Sequence, residues 1–226
     1  MARIERLERA AAPLPRPAAI TAIAAEKLAC QRGERIVVPP LSFEVSAGRA
    51  LILRGPNGSG KTTLLRTIAG YLPSASGRIR VSGPAGERSG GDCFHYIGHS
   101  NGIKPRLSVI ENASFWQRYY GGGADPEAAE EALDAFGLLN LAEYRAAHLS
   151  QGQARRLGLA RLLAAPRAIW LLDEPSVSLD AASTRRLEAA IASHLASGGI
   201  ALISTHLDLS LADAAVLELG GGQAPQ

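Results

Sequence analysis

The sequence predicts an α/β fold, and three observations lead to that class. First, short apolar runs alternate with helical patterns: Ala50 to Leu53 comes before Leu64 to Ala69, Ala168 to Leu172 before Ala181 to Ala196, and Ile200 to Ser204 follows. Runs of this length, bounded by turn residues, read as buried strands. Second, the first strand and first helix are joined by Gly55-Pro56-Asn57-Gly58-Ser59-Gly60-Lys61-Thr62-Thr63, which fits the phosphate-loop pattern in its expected strand–loop–helix context. Third, a block of helical patterning from about residue 99 to 165 interrupts the alternation.

Residues 1–19 read as a tail, because Pro13, Pro15 and Pro17 remove backbone donors and clash with a helix. Residues 20–226 are expected to form a single domain. It opens as strand, turn, strand: Ile20 to Cys30, the polar turn Gln31-Arg32-Gly33-Glu34, then Ile36 to Val38 and Leu41 to Val45. This predicts an N-terminal antiparallel β subdomain. Gly77 to Val81 and Phe94 to Ile97 read as strands, and Ser82 to Asp92, rich in Gly, Ser and Pro, as a loop. In the helical block, Val109 to Tyr120 forms a helix ending at Gly121-Gly122-Gly123. A second helix starts at Asp125-Pro126-Glu127 and stops at Gly137, and a third runs from a Ser150 cap to Ala164, before Pro166. Val216 to Leu219 is a last short strand.

Composition narrows the function classes. The chain has 226 residues, 46% of them hydrophobic, and a formal charge of +3, which does not argue for nucleic acid but suits the inner face of a membrane. Cys30 and Cys93 form no paired motif, as expected of free thiols in a reducing compartment. No run reaches the length of a membrane span, since Leu157 to Leu172 is broken by Arg161, Pro166 and Arg167. There is no secretory signal, so a cytoplasmic location, or a peripheral one on the cytoplasmic face, is expected.

The candidate chemistry begins in the loop. Gly55, Gly58 and Gly60 let successive amides turn inward on a phosphate, and the helix starting near Gly60 adds its positive end. Lys61 can reach the β- and γ-phosphates, and the Thr62 hydroxyl can ligate Mg²⁺. Ile169-Trp170-Leu171-Leu172-Asp173-Glu174-Pro175 is an apolar strand ending in two carboxylates. Asp173 suits a Mg²⁺-holding role and Glu174 the activation of a water. Leu149-Ser150-Gln151-Gly152-Gln153 combines a Ser cap with a glycine at a helix start, a second anion site. Ser204-Thr205-His206 ends another strand, where His206 can donate to a γ-phosphate as charge develops.

In this order, these motifs resemble the nucleotide-binding subunits of ABC transporters over about residues 20–219. The resemblance implies a P-loop NTPase core in which Gly55 to Thr63 is Walker A, Leu149 to Gln153 the signature, Ile169 to Asp173 with Glu174 Walker B, Val177 to Asp180 the D-loop and His206 the switch histidine. It further implies that two identical subunits sandwich two ATP molecules, each between Walker A of one copy and the signature of the other, and pass the motion of opening to integral membrane partners. Nucleotide contacts are therefore expected from Gly55 through Thr63, from Ser150, Gly152 and Gln153, and from Asp180. Three positions depart from the family pattern. His99 stands where Gln is usual. Neutral imidazole is a poor ligand for Mg²⁺, so His99 is expected to meet the ion only through water and to link the site to the partner groove. Arg32 stands where an aromatic usually stacks on adenine, a job a guanidinium plane can also do or leave undone as a solvated turn residue. Gln151 replaces Gly in the signature.

The segment Tyr96-Ile97-Gly98-His99 with Gly102-Ile103-Lys104, and the short chain after His206, are similar to the haem exporter ATP-binding (CcmA) family of bacterial cytochrome c maturation. That similarity implies an ATP-hydrolysing subunit for haem export or haem release, peripheral on the cytoplasmic face of the bacterial inner membrane. It would act with a CcmB-like membrane subunit and a CcmC-like component, without nucleic acid and without binding haem directly. An ABC transporter for another substrate and a soluble, non-transport ABC ATPase remain the alternatives. A plain P-loop kinase would not explain the signature segment.

Overall fold

The computed structural model describes residues 20–84, 86–88, 93–121, 123–206, 209, 211 and 214–220. The tail expected at residues 1–19 lies outside them. The core is a five-stranded parallel sheet: β3 (Ala50–Arg54), β6 (Phe94–Ile97), β7 (Ile169–Asp173), β8 (Ile200–Ser204) and β9 (Ala215–Glu218), in the order β6-β7-β8-β3-β9. The side chains of β3, β7 and β8 alternate between two packed faces, as the period of two requires. Leu51, Leu53, Ile169, Leu171, Ile200 and Leu202 join one cluster with Leu64, Leu65 and Ile68 of helix α1 (Lys61–Ile68). Ala50, Ile52, Trp170, Leu172, Ala201 and Ile203 join the other. Sheets covered on both faces show this near-continuous apolar run, which is why these strands were legible.

The second cluster is completed by α2 (Val109–Tyr119), α3 (Pro126–Ala135), α4 (Gln151–Ala164) and α5 (Ala181–Ala196). Each start is built locally. Ser108 with Glu111, and Ser150 with Gln153, form capping boxes; Asp125 caps α3 with Pro126 in its first turn; Asp180 caps α5. The indole of Trp170 stacks on the His194 imidazole at 3.9 Å between ring centroids. Burial pushes His194 down to about 4 and, with help from Arg161, His95 down to about 3, so both rings are neutral parts of the core at physiological pH.

A four-stranded antiparallel sheet, β1 (Ala22–Arg32), β2 (Arg35–Ser46), β4 (Ser74–Gly83) and β5 (Gly86–Arg88), in the order β2-β1-β4-β5, packs on the α1 side. Three details differ from the sequence expectation. Pro39 and Pro40 do not break the second strand, because β2 is an edge strand and the register steps there from Leu28↔Leu41 to Cys30↔Val38. The first turn is only Gly33-Glu34, with Arg32 paired to Arg35. Part of the expected loop after Ser82 is a hairpin, β4 pairing with β5 through Val81↔Arg88.

Candidate active site

The candidate site gathers at the C-terminal ends of β3, β7 and β8, where open α/β sheets bind ligands. The chain leaves β3 at Arg54 and turns sharply. Gly55 has φ 141°, and a Cβ there would lie 2.2 Å from the Leu219 carbonyl oxygen. Gly60, the N-cap of α1, has φ 98°, and a Cβ would meet Val38 Cγ2 at 2.4 Å. Only glycine fits either position. The buried Lys61 ammonium sits within the loop it closes, donating to the Gly55 carbonyl at 2.6 Å and the Pro56 carbonyl at 3.2 Å.

Asp173 is the centre of the polar cluster and is 1% exposed. Its Oδ1 accepts from Thr62 Oγ1 at 3.1 Å and Ser204 Oγ at 2.7 Å, and its Oδ2 from the Tyr96 hydroxyl at 3.3 Å. Arg66 Nε in turn donates to Tyr96 at 3.2 Å. Burial holds the Tyr96 hydroxyl above the ordinary phenol range, so it stays protonated as the donor. A buried carboxylate contacted by three neutral hydroxyls is a hard oxygen donor set beside a phosphate loop, which fits a Mg²⁺-class ion held by Thr62 and Asp173.

The next residue, Glu174, is a non-glycine in the left-handed region, with φ 47°. Its N–H donates to the Ser204 carbonyl at 3.0 Å and to Ser204 Oγ at 3.2 Å. Glu174 Oε1 lies 3.4 Å from His206 Nε2, which also contacts Asn57 Oδ1 of the loop at 3.2 Å. Glu174, His206 and the phosphate loop are thus joined within one chain, with Glu174 15% and His206 53% exposed.

The signature residues lie elsewhere. Ser150, Gly152 and Gln153 occupy the start of α4 in the helical block, and the capping box occupies Ser150 Oγ with Gln153 N–H at 3.2 Å and Gln153 Oε1 with Ser150 N–H at 2.8 Å. Gly152 packs closely on the D-loop segment, since a Cβ there would lie 3.2 Å from the Ser178 carbonyl. The Asp180 carboxylate accepts from Ser183 N–H at 2.7 Å, and this bond lowers its pKa below the ordinary carboxylate range. Arg32 is exposed at the tip of the β1–β2 hairpin. His99 is also exposed and borders a cavity of about 170 Å³ lined by Tyr71, Tyr96, Trp116, Tyr119 and Arg161. The residue of its segment that reaches Asp173 is Tyr96. Tyr96 opens the segment that carries His99, and Ser204 opens Ser204-Thr205-His206, yet local pattern assigns neither a role; Arg66 carries no motif. Ser204 was findable in principle, because it ends the strand beside β7 and pairs with Asp173 in register.

Among the described residues, no helix is long and apolar enough to cross a membrane. Residues 38–177 match the ABC transporter family. The chain is similar to the cytochrome c biogenesis ATP-binding export protein CcmA of Ruegeria pomeroyi (51% identical, covering 85% of this chain and 88% of the relative), and to those of Cereibacter sphaeroides (49%, 85% and 86%) and Paracoccus denitrificans (47%, 90% and 91%). Among solved structures, it is similar to a putative ABC transporter ATP-binding protein from Pyrococcus furiosus, with a TM-score of 0.77, 26% identity, and coverage of 88% of this chain and 98% of that one. With a phosphate loop, a buried strand-end carboxylate and a capped signature helix on one such scaffold, the chain belongs to the ABC transporter ATP-binding family, within the group of the CcmA proteins.

Proposed function

We propose that this chain is the ATP-hydrolysing subunit of an ABC transporter that exports haem, or drives its release, for c-type cytochrome maturation. Its similarity to CcmA proteins over most of both chains is the observation that carries this reading. Two copies would act together on a CcmB-like integral membrane subunit with a CcmC-like component, at the cytoplasmic face of the inner membrane. Haem itself would not touch this chain.

In this reading the amides of Gly55 to Thr63 and the Lys61 ammonium hold the β- and γ-phosphates of ATP, and Thr62 and Asp173 hold Mg²⁺. The ion supplies charge neutralisation at the phosphates. Ser204 and Tyr96 keep the Asp173 carboxylate in place by their hydrogen bonds. Glu174 orients the attacking water and takes its proton, while His206 donates toward the γ-phosphate from beside Asn57. Ser150, Gly152 and Gln153 complete the pocket of the other copy. Asp180 contributes from the D-loop, where it caps α5, Arg32 is the candidate for base stacking, and His99 connects the site to the groove of the membrane partner.

The test is deletion of the gene followed by haem staining of c-type cytochromes. The expected result is loss of stained cytochromes, restored by the wild-type gene and not by a Lys61→Ala copy. Normal cytochromes in the deletion strain would remove the haem assignment and leave family membership intact.

A further inference from the structure

Arg155 lies in the first two turns of α4 and is 4% exposed. Its guanidinium spans two parts of the molecule. Nη1 donates to the Gly98 carbonyl at 2.7 Å and to Asn101 Oδ1 at 3.1 Å, on the segment that carries His99. Nη2 donates to the Glu174 carbonyl at 2.8 Å, and Nε donates to the Pro175 carbonyl at 3.0 Å. All four acceptors are neutral oxygens. A buried cation held this way is costly, so its fixed fork of donors must be satisfied as a set.

The bond to Glu174 falls on a strained residue. A glutamate at φ 47° persists only where its surroundings over-determine it. The Glu174 N–H is tied to Ser204 on β8, and its carbonyl is tied to Arg155 on α4 and to the Val177 N–H at 3.3 Å. One end of the residue is therefore held by the sheet and the other by the helical block. The same helix presents Ser150 and Gly152 at its tip, a turn away from Arg155.

We propose that Arg155 is a positioning residue: it sets the backbone of Glu174, and so the aim of its carboxylate, according to where α4 stands against the sheet. Engagement of the signature tip of α4 and movement of the Gly98–His99 segment then act on Glu174 through one guanidinium. This deepens the proposed function and rests on Glu174 being the residue that activates water.

The experiment uses the chain assembled with its membrane partner, and compares Arg155→Lys, Glu174→Gln and the double variant. Lysine keeps the charge but is a point donor that cannot serve four fixed oxygens. Arg155→Lys should lower kcat about tenfold to hundredfold, with KM for ATP and affinity for a fluorescent ATP analogue within about threefold of wild type. Amide hydrogen exchange at residues 174–177 should speed up while that of residues 60–64 stays the same. In the double variant, kcat should fall no more than about twofold below Glu174→Gln alone, because both lesions act on one carboxylate.

Wild-type kcat, a parallel loss of ATP affinity, or a full independent loss on top of Glu174→Gln would each overturn the inference. Should Arg155→Lys not fold, Asn101→Ala, which removes one of the four acceptors, is read by the same criteria: a kcat loss of about twofold or more at unchanged ATP affinity supports the inference, and unchanged kcat overturns it. Full turnover in Glu174→Gln would overturn both this inference and the catalytic reading beneath it. Lost turnover there with normal Arg155→Lys would overturn this inference alone.

Discussion

Glu174→Gln is expected to lower ATP hydrolysis about 10²- to 10⁴-fold while leaving ATP affinity within about threefold of wild type. Glutamine has the shape of glutamate but cannot take a proton. The substitution leaves the main-chain ties of Glu174 to Ser204, Arg155 and Val177 available, because they involve only its N–H and carbonyl. The Lys61 contact within the loop and the Thr62 bond to Asp173 are also spared. What is lost is the base beside His206. With binding intact and hydrolysis blocked, ATP should accumulate on paired copies, visible as a stable dimer by size exclusion. Steady-state turnover and binding of a fluorescent ATP analogue, measured side by side, check the expectation. Undiminished turnover would take Glu174 out of its assigned role.

The second large effect concerns the signature. Ser150 has a structural task that a crude substitution would confuse with a catalytic one, because its hydroxyl caps α4 and losing a cap costs about 0.5–2 kcal/mol. Gly152 is no cleaner a target, since any side chain there presses on the Ser178 carbonyl. Ser150→Asp separates the two roles. Aspartate caps a helix about as well as serine, so α4 should remain stable. In a shared pocket, however, it would set a carboxylate against a phosphate. The expected outcome is an unchanged melting temperature, normal ATP binding at the loop, and hydrolysis lower by about 10²-fold or more. Wild-type hydrolysis would mean that the tip of α4 meets no phosphate in either copy.

How much of this was visible in the chain depends on the range of the interaction. The bounds of Phe94–Ile97, Ala181–Ala196 and Ile200–Ser204 follow directly from local pattern, because each is a buried run or an amphipathic run with its own cap. The α/β class followed from them. Pro39-Pro40 misled because proline reads as a breaker unless the strand is known to lie at an edge, and edges are decided by the order of strands in the sheet. Gly86–Arg88 was missed for the opposite reason: a three-residue strand with no apolar side chain exists only through its pairing with β4.

The candidate site divides the same way. Lys61, Thr62, Asp173 and Glu174 sit in contiguous motifs and could be named from spacing. Tyr96 and Arg155 could not, because each acts across more than fifty residues, on Asp173 at 3.3 Å and on Gly98 at 2.7 Å. Nothing local marks one tyrosine or one arginine among several as the one that reaches the site. His99 shows the converse: a motif position can be conspicuous in sequence while Tyr96, three residues before it, makes the contact.

If Walker A of one copy and the signature of another form one pocket, an inter-subunit cross-link will report it. Asn57 and Gln151 are both exposed, one in the phosphate loop and the other at the tip of α4, while Cys30 and Cys93 are buried. A chain carrying Asn57→Cys, Gln151→Cys and Glu174→Gln would be treated with a short bifunctional thiol reagent. Covalent dimers are expected with ATP and Mg²⁺, few with ADP, and none from the parent lacking the two new cysteines. Equal yields with and without nucleotide, or no dimers under ATP, would contradict the shared pocket.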